Sequence, residues 1–348
     1  MSDDRPLLQV RDLVKTYRPR GWLARRDGGV QAVAGVSFDI GRGETFSLVG
    51  ESGCGKSTTA RCIVRITEPT AGSIDFDGIE LAGLGYHELQ PLRHRFQMVF
   101  QDPQASLNPR QTVRSIIGEP LLIRGDDRRS IAERVDELAR QVQLRTDDLD
   151  RFPHQFSGGQ RQRIGIARAL ALHPELLVLD EPVSALDVSI QAQIVRLLQR
   201  LRDEMGLAFL LIAHDLAVVR HLSQRVAVMY LGTIVESGTA RDVYERSHHP
   251  YTQALLSAAP IADPDLERRR ERIVLLGDVP SPLNPPSGCR FRTRCWKATA
   301  ECATDVPLLT AVADGHFVAC HHPEASNVIV SRRKGPDAAA SSERTPAP

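Results

Sequence analysis

Residues 50–57 read GESGCGKS and match the pattern G-x-x-x-x-G-K-[ST]. Glycines in this pattern let the backbone wrap closely around phosphate, with its amide N–H groups pointing inward. The Lys56 side chain can reach the β- and γ-phosphates of a nucleotide, and the Ser57 hydroxyl can ligate Mg²⁺. The pattern therefore predicts a nucleotide site whose residues are Gly50, Glu51, Ser52, Gly53, Cys54, Gly55, Lys56, Ser57 and Thr58.

A second acidic segment, residues 176–182, reads LLVLDEP. Its apolar residues predict a buried strand with Asp180 at the carboxyl end, where α/β sheets bind their ligands. Asp180 is suited to hold Mg²⁺ through water, and Glu181 is suited to position and deprotonate an attacking water. An acidic pair at a strand end is more often a helix cap when it stands alone. Beside the phosphate loop it predicts phosphoryl transfer.

Four of the six cysteines, Cys289, Cys295, Cys302 and Cys320, follow the spacing C-x5-C-x6-C-x17-C. In a cytoplasmic chain such a group is typical of a metal or cluster site. The short C-x2-4-C pair of most zinc sites is missing, and four thiolates at looser spacing suit a 4Fe–4S cluster. The residues leave three alternatives open: an iron–sulfur cluster, zinc, or free or oxidised thiols. Nearby, His316, His321 and His322 are expected at the surface.

The elements that must position these groups alternate between strands and helices. Apolar patterns predict strands at 7–17, 31–40, 45–49, 176–180 and 207–213, and a hairpin that turns at residues 77 and 78. Helical spacing is found at 56–66, 130–144, 159–172 and 189–205. The alternation implies a largely parallel sheet with helices on both faces. A mostly helical stretch from about 102 to 170 interrupts it and predicts a helical subdomain.

Composition limits the possible partners. The 348 residues include 44 Lys or Arg and 43 Asp or Glu, so a broad basic surface for nucleic acid is not expected. No apolar run approaches the ~18 residues of a membrane span, and the start, MSDDRPLLQV, lacks the pattern of a signal peptide. We therefore expect a cytoplasmic protein that contacts a membrane through a partner. The arginine-rich segment 18–29 is predicted to be a solvated loop, and residues 329–348 a disordered tail.

Residues 157–161 read SGGQR before a predicted helix and, with the two motifs above, resemble the signature of ATP-binding cassette proteins. Tyr17 resembles the aromatic residue that stacks on adenine in this family, and Gln101 resembles the Q-loop glutamine. The segment 184–187, SALD, resembles the D-loop, and His214 resembles the switch histidine. The resemblance covers residues 7 to about 240. It implies an α/β fold: a P-loop NTPase core with an antiparallel β subdomain and a helical subdomain, followed by a small cysteine-rich extension.

The resemblance also implies roles for these residues. ATP is held between two cassette domains, and the signature of one domain meets the nucleotide of the other. Its serine hydroxyl, bare glycine backbone and helix start suit a γ-phosphate. The implied catalytic residues are Glu181, His214 and Gln101, and the implied Mg²⁺ ligands are Ser57, Gln101 and Asp180. Beyond the phosphate loop, the implied ATP contacts are Tyr17, Ser157, Gly158, Gly159, Gln160 and Asp187.

Three stretches indicate which branch of the cassette family the chain resembles. They are residues 101–113, QDPQASLNPRQTV; residues 249–260, HPYTQALLSAAP; and residues 280–295, PSPLNPPSGCRFRTRC, with 316–323, HFVACHHP. They resemble the ATP-binding subunits of oligopeptide and dipeptide importers, and the first two favour the F-type partner. The resemblance implies a second ATPase subunit, two transmembrane permeases, an indirectly engaged solute-binding protein, no nucleic acid, and a place at the cytoplasmic face of the membrane.

Within this branch some members hold a 4Fe–4S cluster in the C-terminal tail, and the matching residues here are the four cysteines. The expected domains are a cassette ATPase at 7–258 and an extension at 259–328. Three alternatives to a peptide importer remain. They are an importer of nickel or another small solute, a soluble cassette ATPase acting on ribosomes or DNA, and a cluster-bearing regulator whose ATPase is secondary.

Overall fold

A computed structural model of the chain describes residues 5–18, 29–259 and 272–326. The predicted disordered tail at 329–348 lies outside these residues, as does most of the arginine-rich loop. Within the described ranges, no helix has the length and apolar character that crossing a membrane requires.

An antiparallel sheet forms one layer of the molecule. It contains β1 (Leu8–Tyr17), β2 (Val30–Ile40), β4 (Ala71–Phe76) and β5 (Ile79–Glu80), in the order β2-β1-β4-β5. The predicted hairpin is confirmed, since Asp77 and Gly78 both have positive φ angles, 55° and 81°, between β4 and β5. Two such residues form the tight turn whose twist matches that of antiparallel strands.

The central layer is an eight-stranded sheet in the order β11-β12-β10-β9-β3-β8-β7-β6. Its strands are β3 (Thr45–Val49), β6 (Phe96–Val99), β7 (Leu176–Asp180), β8 (Ala208–Ala213), β9 (Arg225–Tyr230), β10 (Thr233–Thr239), β11 (Thr310–Ala313) and β12 (His316–Val318). The strands from β9 to β6 are parallel, as predicted. Leu177 and Leu179 face one core and Leu176 and Val178 the other, because neighbouring side chains of a strand point to opposite faces.

Helices cover the parallel strands and form a separate helical unit. They are α1 (Lys56–Ile63), α2 (Tyr86–Leu89), α3 (Pro103–Ser106), α4 (Val113–Arg124), α5 (Arg128–Gln141), α6 (Gly158–Leu170), α7 (Val188–Met205), α8 (Leu216–Leu222), α9 (Ala240–Glu245), α10 (Pro250–Ala258) and α11 (Glu301–Thr304). The stretch from α3 to α6 matches the helical segment predicted at 102–170. The helix predicted from 130 starts two residues earlier because the Asp127 side chain accepts hydrogen bonds from the first-turn N–H groups.

The C-terminal extension is continuous with the central sheet. Strand β12 pairs antiparallel with β10, with Glu236 opposite Val318, and β11 pairs with β12. The sequence did not predict that strands beyond residue 300 would join the same sheet as the phosphate loop. The extension is therefore packed against the ATPase domain through backbone hydrogen bonds rather than tethered to it.

A buried histidine strengthens this junction and corrects one expectation. His316, expected at the surface, is 1% exposed, and its Nε2 lies 2.8 Å from the Glu236 carboxylate, which is also buried. The same carboxylate accepts hydrogen bonds from the backbone N–H groups of His248 and His249. Glu236 on β10 thus joins β12 to the start of α10, and removing either partner would leave a buried polar group unpaired.

Candidate functional site

The loop between β3 and α1 forms a compact cradle. Gly50 and Gly55 have φ angles of 153° and 109°. At these two positions a Cβ atom would lie 2.2 Å from the Met229 carbonyl oxygen and 2.1 Å from the Ala32 carbonyl oxygen. Both positions therefore require glycine, because a side chain would push the loop away from β9 and β2.

Lys56 closes the cradle from within. Its side chain is almost fully buried, and its ammonium group donates to the carbonyl oxygens of Gly50 at 2.8 Å and Glu51 at 2.9 Å. The Cys54 sulfur lies 3.7 Å from the same nitrogen. A positive charge is thus held at the mouth of a loop whose amides point inward, an arrangement that binds phosphate.

The phosphate loop lies on one wall of a cleft of about 440 Å³. Three side chains from other elements lie on the same cleft: Gln101, Glu181 and His214. The remaining lining residues are Ala32, Ser52, Gly53, Gly55, Lys56, Ser57 and Thr58. The structure therefore brings the predicted loop and the three predicted catalytic side chains into one space. Ala32 on β2 lines the cleft as well, and no motif in the sequence indicated it.

A hydroxyl and a carboxylate meet beneath the loop. The Ser57 Oγ donates to Asp180 Oδ1 at 2.7 Å. Asp180 is fully buried, and its second carboxylate oxygen has no hydrogen-bond partner among the residues that the structure describes. Burial raises the pKa of this carboxyl above its usual range, and the Ser57 hydrogen bond opposes the effect. A nearby cation would relieve the cost of the buried charge, and hydroxyl and carboxylate oxygens are ligands that Mg²⁺ prefers.

The side chains of Gln101 and His214 both approach the Glu181 carboxylate. One of its oxygens, Oε2, accepts a hydrogen bond from Gln101 Nε2 at 2.9 Å and lies 3.3 Å from His214 Nδ1. The Glu181 backbone has a φ angle of 48°, which is uncommon for a residue with a side chain and is typical of strained functional positions. Its N–H donates to the Ile212 carbonyl at 2.9 Å, which holds this conformation. The carboxylate can accept a proton from a water in the cleft.

The signature segment faces outward at the start of α6. Ser157 caps this helix: its Oγ accepts from the Gln160 N–H at 3.3 Å, and its own N–H donates to the Gln160 side chain at 2.9 Å. Gly159 is buried against α7, and a Cβ there would lie 2.5 Å from the Ile190 side chain. Ser157, Gly158 and Gln160 are exposed. The signature does not line the phosphate cleft of its own chain.

Two further predicted contacts also lie outside that cleft. Tyr17 at the end of β1 keeps 43% of its surface exposed, and the Lys15 ammonium lies 5.1 Å from its ring centre. Asp187 is exposed at the start of α7. An exposed aromatic ring is available for stacking on a planar group, and an exposed helix start is available to a second protein surface.

The four C-terminal cysteines come together although 31 residue positions separate the first from the last. Each is a free thiol, and the electrostatic neighbours of Cys320 include the other three sulfurs. In the described part of the chain, no three of these sulfurs lie within 4.8 Å of one another. The ligands of a single tetrahedral zinc ion would be closer together than that.

Backbone N–H groups point at several of these sulfurs. The N–H of Lys297 lies 3.4 Å from the Cys295 sulfur, and that of His322 lies 3.4 Å from the Cys320 sulfur. The Cys289 sulfur faces the N–H groups of Phe291 and Arg292. Burial raises the pKa of the Cys320 thiol to about 11, so without a metal it stays protonated. A metal bound to a thiol deprotonates it, and N–H donors then stabilise the thiolate.

Two contacts to the phosphate loop were not predicted. The Arg294 guanidinium, next to Cys295 in the chain, forms two hydrogen bonds with the Glu51 carboxylate. The Tyr251 hydroxyl accepts a hydrogen bond from the Glu51 N–H at 2.8 Å. Neither contact follows from local spacing, since Arg294 lies 243 positions from Glu51.

Two family descriptions match the chain. "ABC transporter" matches residues 33–184, and "Oligopeptide/dipeptide transporter, C-terminal region" matches residues 235–302. The first match contains the phosphate loop, Gln101, the signature and the segment from Asp180 to Ser184. The second begins on β10 and contains three of the four clustered cysteines.

Individual proteins resemble the chain over nearly its whole length. It is 54% identical over 318 residues to the putative oligopeptide transport ATP-binding protein YkfD of Bacillus subtilis strain 168, covering 91% of this chain and 95% of that protein. It is 51% identical over 323 residues to the oligopeptide transport ATP-binding protein AppF of the same strain, covering 92% and 98%. The dimeric post-hydrolysis structure of the ATP-binding cassette MJ0796, bound to ADP and Pi, matches with a TM-score of 0.60 and 30% identity, over 67% of this chain and 99% of that chain.

Proposed function

The chain belongs to the ABC transporter family, in its oligopeptide and dipeptide branch, and from this premise we propose that it hydrolyses ATP to power peptide import through a separate membrane permease. The observation that carries the proposal is the presence, in one chain, of a complete cassette site and the C-terminal region of peptide transporters. Relatives named as oligopeptide transport proteins favour peptides over nickel or another small solute as the cargo.

The phosphate loop and its neighbours would hold the substrate. The loop amides and Lys56 bind the β- and γ-phosphates, and Tyr17 stacks on the adenine. Ser57, Asp180 and Gln101 would hold Mg²⁺, and the unpartnered Asp180 oxygen supports this assignment. When bound, Mg²⁺ supplies charge neutralisation on the phosphates. Glu181 positions and deprotonates the attacking water, and His214 stabilises the γ-phosphate.

The outward-facing signature supports ATP-driven pairing of two ATPase subunits. Ser157, Gly158 and Gln160 are exposed and do not line the chain's own phosphate cleft, and Asp187 is exposed, so these groups are available to the nucleotide of a partner. The structural relative MJ0796 is dimeric. The partner is a second, related ATPase, and the likeness to AppF supports the F-type assignment for this chain.

The assembled transporter would contain, in addition, two transmembrane permeases and an extracytoplasmic solute-binding protein engaged indirectly. The chain would lie at the cytoplasmic face of the membrane, held there by the permeases. Nucleic acid has no place in this assembly, in keeping with a net charge of +1.

Affinity purification tests the assignment. We expect the tagged chain, extracted from membranes in mild detergent, to recover two multi-span proteins and a second ATPase, identified by mass spectrometry. Reconstituted with the solute-binding protein, the complex should import labelled peptides only when ATP is present. Recovery of ribosomal or DNA-repair proteins with no membrane protein would overturn the transport assignment.

The cysteine group would hold a 4Fe–4S cluster, with Cys289, Cys295, Cys302 and Cys320 as its ligands. The sequence spacing of the cysteines, which lacks the short C-x2-4-C pair of most zinc sites, supports this choice over zinc, and the N–H groups that face the sulfurs suit bound thiolates. When bound, the cluster supplies a covalent cross-link between the loops that carry the cysteines.

We expect protein purified without oxygen to contain about four iron and four acid-labile sulfide per chain. Cys320→Ser should lose most of both, because serine is a poor ligand for this cluster. Cys62→Ser, at a buried cysteine in α1 away from the group, is the matched control and should keep them. Stoichiometric zinc without sulfide, or no metal at all, would contradict the cluster.

A further inference from the structure

We propose that Arg294 is a positioning residue for the phosphate loop, and that through it the state of the cysteine site sets the affinity for ATP. The inference rests on the proposed function of that loop as the ATP site. It concerns regulation of this site by the extension, which neither the loop motif nor the cysteine spacing indicates.

Arg294 of the extension contacts Glu51 of the phosphate loop directly. The two guanidinium nitrogens lie 2.8 Å and 3.2 Å from the two carboxylate oxygens, which makes a bidentate pair. The Arg294 side chain is 8% exposed. A planar, largely buried pair of this kind is more rigid than a surface ion pair, and lysine cannot reproduce its two-point geometry.

Glu51 is held at three points. Its side chain binds Arg294, its N–H donates to Tyr251, and its carbonyl oxygen accepts from the Lys56 ammonium at 2.9 Å. A shift of Glu51 would therefore move the carbonyl that orients Lys56. Arg294 and Lys56 are therefore linked through a single residue, Glu51.

The extension also supports Tyr251 through aromatic packing. Tyr251 is fully buried and packs on Tyr230 and Phe291, with ring centres 4.7 Å and 5.4 Å away. Phe291 lies between Cys289 and Cys295 in the chain, and it is also buried. The segment that carries two of the cysteines thus supplies both the arginine and part of the aromatic packing behind the loop.

Backbone hydrogen bonds shape the segment from Cys289 to Cys295. The Arg294 N–H donates to the Phe291 carbonyl at 3.0 Å, and the Cys289 N–H donates to the Cys302 carbonyl at 2.9 Å. The segment is a short turn whose two ends carry sulfur atoms of the cysteine site. A group bound to these sulfurs would tie the ends of the turn and so restrict the movement of the Arg294 guanidinium. Without it, the turn would have fewer constraints and the bidentate pair would form for a smaller fraction of the time.

Coupling between two sites is reciprocal in binding free energy. If the bound cysteine site favours the loop conformation that binds ATP, then ATP must favour the bound cysteine site. Both effects, that of the cysteine site on ATP binding and that of ATP on the cysteine site, depend on Arg294. Each can be measured separately.

The first experiment measures the Kd for the fluorescent nucleotide TNP-ATP with Mg²⁺, and the KM and kcat for ATP. Arg294→Met should raise the Kd and the KM about tenfold, within the usual range of such couplings, and leave kcat within about twofold. Arg294→Lys should recover part of the affinity because it keeps the charge. Arg292→Met is the matched control, since among the described residues the Arg292 guanidinium donates to Ser287 and makes no hydrogen bond to the phosphate loop.

The second experiment measures loss of iron to a chelator in air, by absorbance, with and without Mg²⁺ and the non-hydrolysable analogue AMP-PNP. The analogue should slow the loss severalfold in the wild type and in Arg292→Met, and leave the rate unchanged in Arg294→Met. Cys320→Ser should raise the Kd for TNP-ATP by about the same factor as Arg294→Met, and the double variant should show no additional effect.

The outcomes are distinguishable. Wild-type affinity in Arg294→Met would overturn the proposal and leave the ATP site intact. No nucleotide binding by the wild type would overturn the proposed function itself. A wild type without metal, or a nucleotide effect on iron loss that persists in Arg294→Met, would overturn the coupling. If the melting temperature shows that Arg294→Met is unfolded, the conservative Arg294→Lys is tested in its place. The proposal then requires Arg294→Lys to bind TNP-ATP more weakly than the wild type does.

Discussion

Glu181→Gln is expected to lower kcat for ATP hydrolysis by about 10²- to 10⁴-fold, the range that general base catalysis supplies. Glutamine has the same shape and can still bond to Gln101 and His214, but it cannot take a proton from water. The Kd for TNP-ATP should stay within about threefold of the wild type, because Glu181 is expected to act on the attacking water rather than on the bound phosphates. The measurement is steady-state phosphate release by the complex with its partner ATPase, together with nucleotide titration.

Glu133→Gln is the matched control for this change. Glu133 lies on the exposed face of α5, pairs with the exposed Arg129 and does not line the phosphate cleft, so removing its charge should leave kcat unchanged. Turnover by Glu181→Gln within twofold of the wild type would show that another group activates the water. His214 would then be the next candidate, since it lies 3.3 Å from the same carboxylate oxygen.

Much of the catalytic site was predictable because each part is a continuous segment. The phosphate loop is read from eight adjacent residues, and the strand predicted at 176–180 has the bounds Leu176–Asp180 in the structure. Helix α1, predicted to reach residue 66, ends at Ile63, and Arg65 has a positive φ angle of 54°. The convergence of Gln101 and His214 on Glu181 required the family resemblance, because spacing alone does not determine which loops meet at the sheet edge.

The contacts of the extension could not be predicted in the same way. His316 resembled its polar neighbours at 321 and 322, yet it is buried because β12 pairs with β10 and places it beside Glu236. Arg294 is one of several arginines around the cysteines, and only the fold distinguishes it from Arg292. In both cases a polar residue is buried by a partner more than 75 positions away in the chain. Sequence patterns describe the faces of elements, whereas such pairs depend on how elements far apart in the chain pack.

Lys56→Ala is expected to raise the Kd for ATP by about 10²-fold or more. Two effects contribute. The ammonium no longer binds phosphate, and a hydrogen bond to a charged group contributes about 1.5–3 kcal/mol. The loop also loses the donor that joins the Gly50 and Glu51 carbonyls, so those oxygens turn toward the cleft unpaired and repel the phosphates. Isothermal titration of the variant with Mg²⁺ and AMP-PNP measures the change.

The control must distinguish the loss of the Lys56 ammonium from the loss of any single positive charge. Arg129→Ala removes a charge from an exposed position on α5 and should bind the analogue as the wild type does. The melting temperature of Lys56→Ala without nucleotide should fall by roughly a few degrees, because the Gly50 and Glu51 carbonyls lose their shared donor, while the variant still folds and can be titrated. Binding within threefold of the wild type would place the phosphates elsewhere than in this loop. We propose that Arg294 affects nucleotide binding through Glu51 and Lys56. Arg294→Met should therefore add little to the increase in Kd that Lys56→Ala already causes. This result would indicate that the extension influences the ATP site through Lys56.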